Sequence, residues 1–348
     1  MTIKGNFGSD NAAGIHPSIL AALSRASEGA APAYGHDDIT AAVSAQFSMI
    51  FETSCTVFFV ATGTAANALA LATLVPPHGA IYCHELSHAI TDECTAPELF
   101  TGGARLLGVS GAYAKPDLSE LEKRIASSSQ RGVHSLQPAA LTLSNATELG
   151  CVLTPDELSA YAAVAHRNHM RVHVDGARFA NAVAYTGASP AELTWRSGVD
   201  VLSFGATKNG AMAAEAVVFF DEALAKPFPW YRKRGGHLWS KQRFLAAQFD
   251  GYLKDGLWLE LASHANAMAS RMAQGLSTID GVLMDTPVQA NEVFPRFPLS
   301  LIESLRSSGF VFYDWPPEPG RVRLVTSFTT EPSEVDAFLK AVQEAVRA

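Results

Sequence analysis

Short apolar runs alternate with helical segments between about residues 55 and 220. The apolar runs are TVFFVATGT, GAIYC, ARLLGVS, AALTLS, RVHVDGAR, DVLSFGATK and EAVVFF, each short enough to form a strand. Strands that alternate with helices are typical of a largely parallel sheet covered by helices. The pattern therefore predicts an α/β fold, in which TVFFV enters a turn of small residues and AANALALATLV continues as a helix.

Two helices are indicated between and after these strands. In TPDELSAYAAVAHRNHM, Thr154 is a candidate N-cap, Pro155 takes the first helical position and Glu157 follows three residues after the cap. A second, longer helical stretch covers roughly residues 236–275. The pattern then changes to VFPRFP, SLIESLRSSG, FVFYDW, RVRLVTSF and a final helix, PSEVDAFLKAVQEAVRA. We therefore expect a large domain over residues 1–235, followed by a long helix and a small α+β domain over residues 236–348.

Composition limits the function classes. The 348 residues are 48% hydrophobic and 17% charged, which describes a compact globular chain. A net charge of −8 argues against nucleic-acid binding, because neutralising phosphates needs a basic surface. The one dense basic run, YRKRGG over residues 231–236, is either a solvated loop or an anion contact. No run approaches the length that spans a bilayer, so we expect no membrane association.

The cysteines and the first residues bear on location. Cys55, Cys83, Cys94 and Cys151 are widely spaced, and none forms a C-x-x-C pair. The first residues, MTIKGNFGSDNAAGIHP, lack the apolar segment of a signal peptide. We expect a cytoplasmic protein with free thiols.

Lys208 and Asp175 are the first candidates for chemistry. Lys208 follows a buried strand within a run of small residues, where desolvation favours the neutral amine that attacks carbonyls. Asp175 follows another apolar strand, about one βαβ unit earlier. Alone, each has an ordinary explanation: a lysine that reaches water or a helix N-cap. Since ligands bind beyond the carboxyl ends of strands in open α/β sheets, both side chains should face one crevice. A lysine that forms a Schiff base and an aspartate that protonates a pyridine nitrogen are what pyridoxal 5′-phosphate (PLP) requires.

Gly63 and Thr64 mark a possible phosphate site. They lie where a strand turns into a helix, so that backbone N–H groups and a hydroxyl could hold a phosphate. The stretch lacks the lysine of a P-loop and the spacing of a dinucleotide fingerprint, which argues against a nucleotide.

The order TGTAAN, a histidine-containing segment, VHVDGAR, SFGATKNG and VRLVTSF resembles the low-specificity L-threonine aldolases. These are PLP-dependent fold type I enzymes of the β-eliminating lyase branch, and the resemblance spans nearly the whole chain. It implies that Lys208 holds PLP and Asp175 pairs with the pyridine nitrogen. The remaining implied cofactor ligands are Gly63, Thr64, His88, Arg178 and Thr207. The implied ligands of the substrate carboxylate are Ser9, Arg178 and Arg323, although Arg323 alone would pass for a surface residue.

The segment CHELSH raises a rival interpretation. His84, Glu85 and His88 follow the H-E-x-x-H pattern of zinc peptidases, which requires both histidines on one helix. GAIYC is a strand, so HELSH should begin in the loop after it, and we expect no metal. In the aldolases a histidine at this place stacks on the pyridine ring, and His88 is the better match. His84 or a water could then share proton transfer.

The resemblance implies retro-aldol cleavage of L-threonine, L-allo-threonine or a β-aryl serine to glycine and an aldehyde. Another PLP reaction, such as β-elimination or racemisation, stays open, and the zinc hydrolase is a more distant alternative. One departure concerns the base. Many family members carry a histidine after the fourth strand, whereas this chain has SNATELG with Thr147 near that place. Family members are homo-oligomers, so a dimer or tetramer is expected.

Overall fold

A computed structural model describes residues 3–130 and 132–347. The N-terminal two residues and Ala348, the predicted end of the last helix, lie outside these ranges. The strands, in chain order, are β1 Gly5–Asn6, β2 Thr56–Val60, β3 Gly79–His84, β4 Arg105–Val109, β5 Gln137–Ser144, β6 Arg171–Gly176, β7 Val201–Gly205, β8 Glu215–Phe219, β9 Leu283–Met284, β10 Glu292–Val293, β11 Pro295–Arg296, β12 Phe310–Val311, β13 Tyr313–Asp314 and β14 Val322–Val325.

Helices cover both faces of the main sheet. They are α1 Pro17–Ala26, α2 Asp38–Ile50, α3 Gly63–Leu74, α4 His88–Thr91, α5 Ala96–Thr101, α6 Leu118–Ser129, α7 Pro155–Arg167, α8 Phe179–Thr186, α9 Glu222–Ala225, α10 Phe228–Arg234, α11 Arg243–Leu253, α12 Leu257–Leu276, α13 Leu299–Ser307 and α14 Pro332–Arg347. None of the helices described is long and apolar enough to cross a bilayer.

The main sheet has seven strands in the order β2-β8-β7-β6-β5-β3-β4. Strand β8 runs antiparallel to both of its neighbours, and the remaining pairs are parallel. Every strand predicted between residues 55 and 220 is present. The carboxyl ends of β5, β6 and β7 therefore meet at one edge, as the sequence pattern predicted.

The two largest hydrophobic cores lie in different parts of the described chain. The larger lies against the main sheet, where Phe204 packs edge to face on Phe47 at 5.3 Å and also contacts Trp258 at 5.5 Å between ring centroids. The smaller surrounds Phe338 and includes Phe7 from the N-terminal segment. Strand β1 pairs with β12, so this segment adds to the C-terminal part of the molecule. The division of the chain at residues 235 and 236 stays a prediction.

One predicted helix is correct in detail. Thr154 accepts a hydrogen bond from the N–H of Glu157, and the Glu157 carboxylate accepts one from the N–H of Thr154. This capping box satisfies two backbone donors that the first turn leaves free.

Two local predictions are wrong. The single helix over 236–275 is divided into α11 and α12 by a turn at Lys254–Gly256, where Asp255 and Gly256 have φ of 54° and 76°, outside the helical region. The basic run over residues 231–236 is not a solvated loop. Arg232 and Arg234 belong to α10, and only the two glycines follow the helix. The guanidinium of Arg232 lies 5.2 Å from the centroid of Phe58, and burial lowers its pKa to about 10.

Close packing of β6 on β7 requires glycine. A Cβ added at Gly205 would lie 2.6 Å from the carbonyl oxygen of Ala177 and 2.8 Å from its Cα. Backbone atoms cannot yield as a flexible side chain can, so a methyl group must separate the two strands.

We expect Gly205→Ala to lower the free energy of unfolding by about 1–3 kcal/mol, because the strands must move apart to admit the methyl group. Urea unfolding measures this change. Gly14→Ala is the matched control, since an added Cβ there meets nothing within 4 Å, and it should leave stability nearly unchanged. Equal stability of the Gly205→Ala variant and the wild type would contradict the close packing.

Candidate active site

A cavity of about 750 Å³ opens at the carboxyl ends of the central strands. The structure brings nearly all of the predicted site residues to its wall. Those that line it are Ser9, Gly63, Thr64, His88, Asp175, Arg178, Thr207, Lys208 and Arg323. They come from the N-terminal segment, the ends of four strands of the main sheet (β2, β3, β6 and β7) and the C-terminal sheet.

A short turn after β7 presents Lys208. Asn209 fixes the far side of this turn by donating to the hydroxyl of Tyr252 at 2.7 Å and to the carbonyl of Trp258 at 2.8 Å. Thr207 fixes the near side, because its hydroxyl donates to Glu215 at 2.6 Å. Lys208 therefore lies between two residues that are fixed by hydrogen bonds, and its side chain lines the cavity.

Asp175 lies near the end of β6 and is held by two donors. Its Oδ1 accepts the N–H of Ala177 at 2.9 Å, and its Oδ2 accepts the side-chain amide of Asn67 at 2.8 Å. Burial opposes ionisation, but the charge of His88, the Ala177 N–H and the charge of Lys208 together hold the pKa of Asp175 below its usual range. The cavity therefore contains a shielded carboxylate that stays ionised.

His88 is fixed from behind by a buried acid. Its Nδ1 hydrogen-bonds to Oε1 of Glu93 at 2.9 Å, and this bond raises the pKa of His88 against the effect of burial. Asn67 also donates to Oε1 of Glu93 at 2.8 Å, so one amide connects Glu93 with Asp175. Ligand-type atoms of His88, Glu93 and Asp175 lie within 4.8 Å of one another. Their hydrogen bonds to each other and to Asn67 account for this cluster.

The structure places His84 outside the helix that carries His88. This residue ends β3 and is 4% exposed, whereas His88 begins α4, so the two do not share a helix face. Its Nδ1 accepts the N–H of Leu86 at 3.1 Å, which leaves Nε2 to donate to the carbonyl of Gly111 at 3.1 Å. Both ring nitrogens are therefore engaged by backbone groups. The two histidines therefore lack the shared helix that the zinc-peptidase pattern requires, and a part of His84 in proton transfer stays a prediction.

The two predicted carboxylate ligands differ in their partners. Arg178 donates through Nε and Nη2 to Asp10 at 2.8 and 3.1 Å, and its Nη1 lies 3.4 Å from Glu292. Arg323 reaches the cavity from β14 and donates to the carbonyl of Gly8 at 3.3 Å. Among the residues described, Arg323 pairs with no carboxylate, and its Nε has no acceptor. Arg323 is therefore the better placed of the two to receive an incoming carboxylate.

The N-terminus of α3 forms another part of the wall. Thr62 caps the helix by accepting the N–H of Ala65 at 3.2 Å, while Gly63 and Thr64 occupy the first turn. A Cβ added at Gly63 would meet nothing within 4 Å, so space for an anion lies beside the first free N–H groups.

Sequence reasoning missed several polar groups that line this cavity or contact the residues of its wall. Asn67 could have been noticed, because it is the only polar residue between Ala65 and Ala72 in a helix that is buried throughout. Glu148 follows directly after Thr147, the residue on which the sequence comparison concentrated. Asp10, Glu93, Glu215 and Glu292 gave no signal of their own, because their partners are distant in the chain.

Comparison with known proteins agrees with this arrangement. A sequence profile described as beta-eliminating lyase matches residues 6–297. A low-specificity L-threonine aldolase from Pseudomonas aeruginosa is 44% identical over 97% of this chain and 96% of its own. Another, from a Pseudomonas species, is 42% identical over 97% of this chain and 98% of its own. The chain belongs to the beta-eliminating lyase family.

Structural comparison confirms the fold of this family member. A threonine aldolase from Leishmania major matches with a TM-score of 0.92 and 28% identity, covering 98% of this chain and 99% of that one. The predicted class is therefore confirmed: a PLP-dependent fold type I enzyme with a mostly parallel sheet and a small C-terminal sheet.

Members of this family use pyridoxal 5′-phosphate, as the resemblance implied. The cavity fits this group. Lys208 offers an amine for its carbonyl, ionised Asp175 suits a ring nitrogen that carries a proton, and the start of α3 suits its phosphate.

Glu215 provides a stability test of the site. Burial raises its pKa to about 7 from an ordinary 4.5, so ionising this side chain disfavours the folded state. Below about pH 4.5 it is neutral in both states and costs nothing. Between pH 4.5 and about 7, Glu215 ionises in the unfolded chain but stays neutral in the folded one. Above about pH 7 it is ionised in both, and the free energy of unfolding is then lower by about 3 kcal/mol.

In cofactor-free protein, Glu215→Gln should therefore raise the free energy of unfolding relative to the wild type at pH 8 and have little effect at pH 4. The glutamine keeps an oxygen for the Thr207 hydroxyl, so this hydrogen bond survives. Urea unfolding at the two pH values measures the difference. An equal effect at both would show that Glu215 ionises normally.

Proposed function

We propose that this protein is a PLP-dependent aldehyde-lyase that cleaves L-threonine and L-allo-threonine to glycine and acetaldehyde. By the same reaction, a β-aryl serine gives glycine and an aromatic aldehyde. The observation that carries the proposal is the position of Lys208 and Asp175 at adjacent strand ends on one cavity wall. The relatives named as threonine aldolases support this choice of reaction.

Different residues of the cavity bind different parts of the cofactor. In this proposal, Lys208 holds it covalently, Asp175 keeps a proton on the ring nitrogen and His88 packs against the ring. Gly63 and Thr64 bind its phosphate at the start of α3, with Thr207 and Arg178 nearby. When bound, PLP supplies a ring that withdraws electrons from the amino-acid α-carbon.

Arg323, with Arg178 and Ser9, binds the substrate carboxylate. Arg178 already pairs with Asp10 and Glu292, whereas Arg323 forms no ion pair among the described residues and acts on Glu292 only at longer range. Fixing the carboxylate fixes the rotation about the nitrogen–Cα bond. That rotation determines which bond at Cα breaks, and so favours cleavage to Cβ over loss of a proton.

The cavity has an apolar side that suits the substrate side chain. Leu86, Trp315 and Pro316 line it, and the ring of Trp315 packs on Phe294 with 5.3 Å between centroids. An apolar wall accepts a methyl or an aryl group without demanding a polar contact. This agrees with a broad choice of aldehyde.

We also propose a homodimer or homotetramer in the cytoplasm. Large apolar side chains are exposed at several places on the described surface, including Met49, Leu99 and Trp230 at 70%, 74% and 74% exposure. Such residues suit subunit contacts. The four cysteines are all free, as expected in a reducing compartment.

Product analysis tests the reaction. The purified, PLP-loaded protein should release equal amounts of glycine and acetaldehyde from L-threonine, measured by amino-acid analysis and an aldehyde assay. Lys208→Ala should lower this rate by at least about 100-fold, because the amine that holds the cofactor is gone. Lys226→Ala, at an exposed lysine, is the matched control and should leave the rate unchanged.

Two other product patterns would contradict the proposal. Ammonia with a keto acid would indicate β-elimination or deamination. Loss of optical activity without glycine would indicate racemisation. Either result would be consistent with the proposed cofactor site, but it would show that a bond other than Cα–Cβ breaks.

A further inference from the structure

Glu148 carries a carboxylate oxygen that nothing in the established site uses. The residue follows β5 and lines the cavity. Its Oε1 accepts the hydroxyl of Ser144 at 2.5 Å and the N–H of His88 at 3.0 Å. Its Oε2 is shielded from water and has no hydrogen-bond partner among the residues described. A buried acceptor without a donor is costly unless a ligand supplies one.

The surroundings keep this carboxyl group near the point of ionisation. Burial raises the pKa of Glu148 to about 7, while its hydrogen bonds to Ser144 and His88 oppose this effect and the charge of Asp175 adds to it. A carboxyl group with such a pKa can accept and release protons at neutral pH.

Three residues that the sequence analysis connected with proton transfer are engaged elsewhere. The Thr147 hydroxyl donates to the carbonyl of Tyr113 at 2.9 Å and accepts the N–H of Cys151 at 3.2 Å. His84 has both nitrogens bound to backbone. His88 has its Nδ1 on Glu93, and this contact favours its protonated form, which cannot act as a base.

We infer that Glu148 is the catalytic base that removes the proton of the substrate β-hydroxyl. The inference rests on the proposed function and names a residue for its central step. The hydroxyl O–H bond breaks and its proton moves to the carboxylate of Glu148. The electron pair left on oxygen forms the C=O bond of the aldehyde, and the pair of the Cα–Cβ bond stays with Cα. Cα then takes up one proton to complete glycine, and Glu148 releases its own to solvent.

The test compares Glu148→Gln with Glu85→Gln in the PLP-loaded protein. Glutamine has nearly the same shape but cannot accept the proton, so cleavage of L-threonine should fall by about 100-fold or more. Exchange of the glycine α-proton in D₂O involves no β-hydroxyl and should stay within about 3-fold of the wild type. Glu85 is exposed on a neighbouring segment, and its variant should keep both rates.

Each outcome is decisive. Cleavage by Glu148→Gln within about 3-fold of the wild-type rate would overturn the inference. Parallel loss of cleavage and exchange would also overturn it, since Glu148 would then support the site as a whole. If the wild type itself releases no glycine from threonine, the proposed function fails, and this failure is visible before any variant is made.

A measurement without cofactor keeps the inference testable if the glutamine variant folds poorly. Carboxyl ¹³C NMR of the cofactor-free protein should show two glutamate signals that titrate near pH 7, those of Glu148 and Glu215, and the one that disappears in Glu148→Asp belongs to Glu148. A Glu148 signal that titrates like an exposed glutamate would overturn the inference.

Discussion

The carboxylate of Asp175 is the constraint on which the site depends. A charge shielded from water costs several kcal/mol unless neighbouring groups compensate it. Here the Asn67 amide, the Ala177 N–H and the charges of His88 and Lys208 provide that compensation. The same groups define the cofactor site, because the charges of His88 and Lys208 both act on this carboxylate. The stability of the cavity and its chemistry therefore depend on the same interactions of Asp175.

The fold positions this charge through the parallel strands and close backbone packing. Asp175 pairs in register with Ser203 of β7, and Lys208 follows a few residues after that strand ends. The C-terminal sheet completes the cavity from the other side, because β14 supplies Arg323 and β10 supplies Glu292. Strand β1 pairs with β12, which brings Asp10 to Arg178. In the proposed reaction, substrate charge and cofactor charge are thus held by different parts of the chain, which meet at the cavity.

Much of this arrangement follows from the sequence, since strand runs and their order place Asp175, Lys208 and the start of α3 at one edge. The predictions that failed depended on conformations without a strong local signal. Asp255 adopts a positive φ and divides a helix that the apolar pattern continues. The separation of His84 from His88 depends on the end of β3, and the hydrogen bonds of His84 to Leu86 and Gly111 form only in the folded chain. Glu93 and Glu148 gain their roles only from contacts across the folded chain, which composition and spacing do not show.

The most direct test of this account is the protonation state of the cofactor ring nitrogen. Wild type and Asp175→Asn would be loaded with PLP that carries ¹⁵N in the ring, and the ¹⁵N chemical shift would be recorded at neutral pH. The account predicts a protonated nitrogen in the wild type and an unprotonated one in the variant, because asparagine lacks the negative charge that stabilises the proton. An unprotonated nitrogen in the wild type, or the same shift in both proteins, would contradict it.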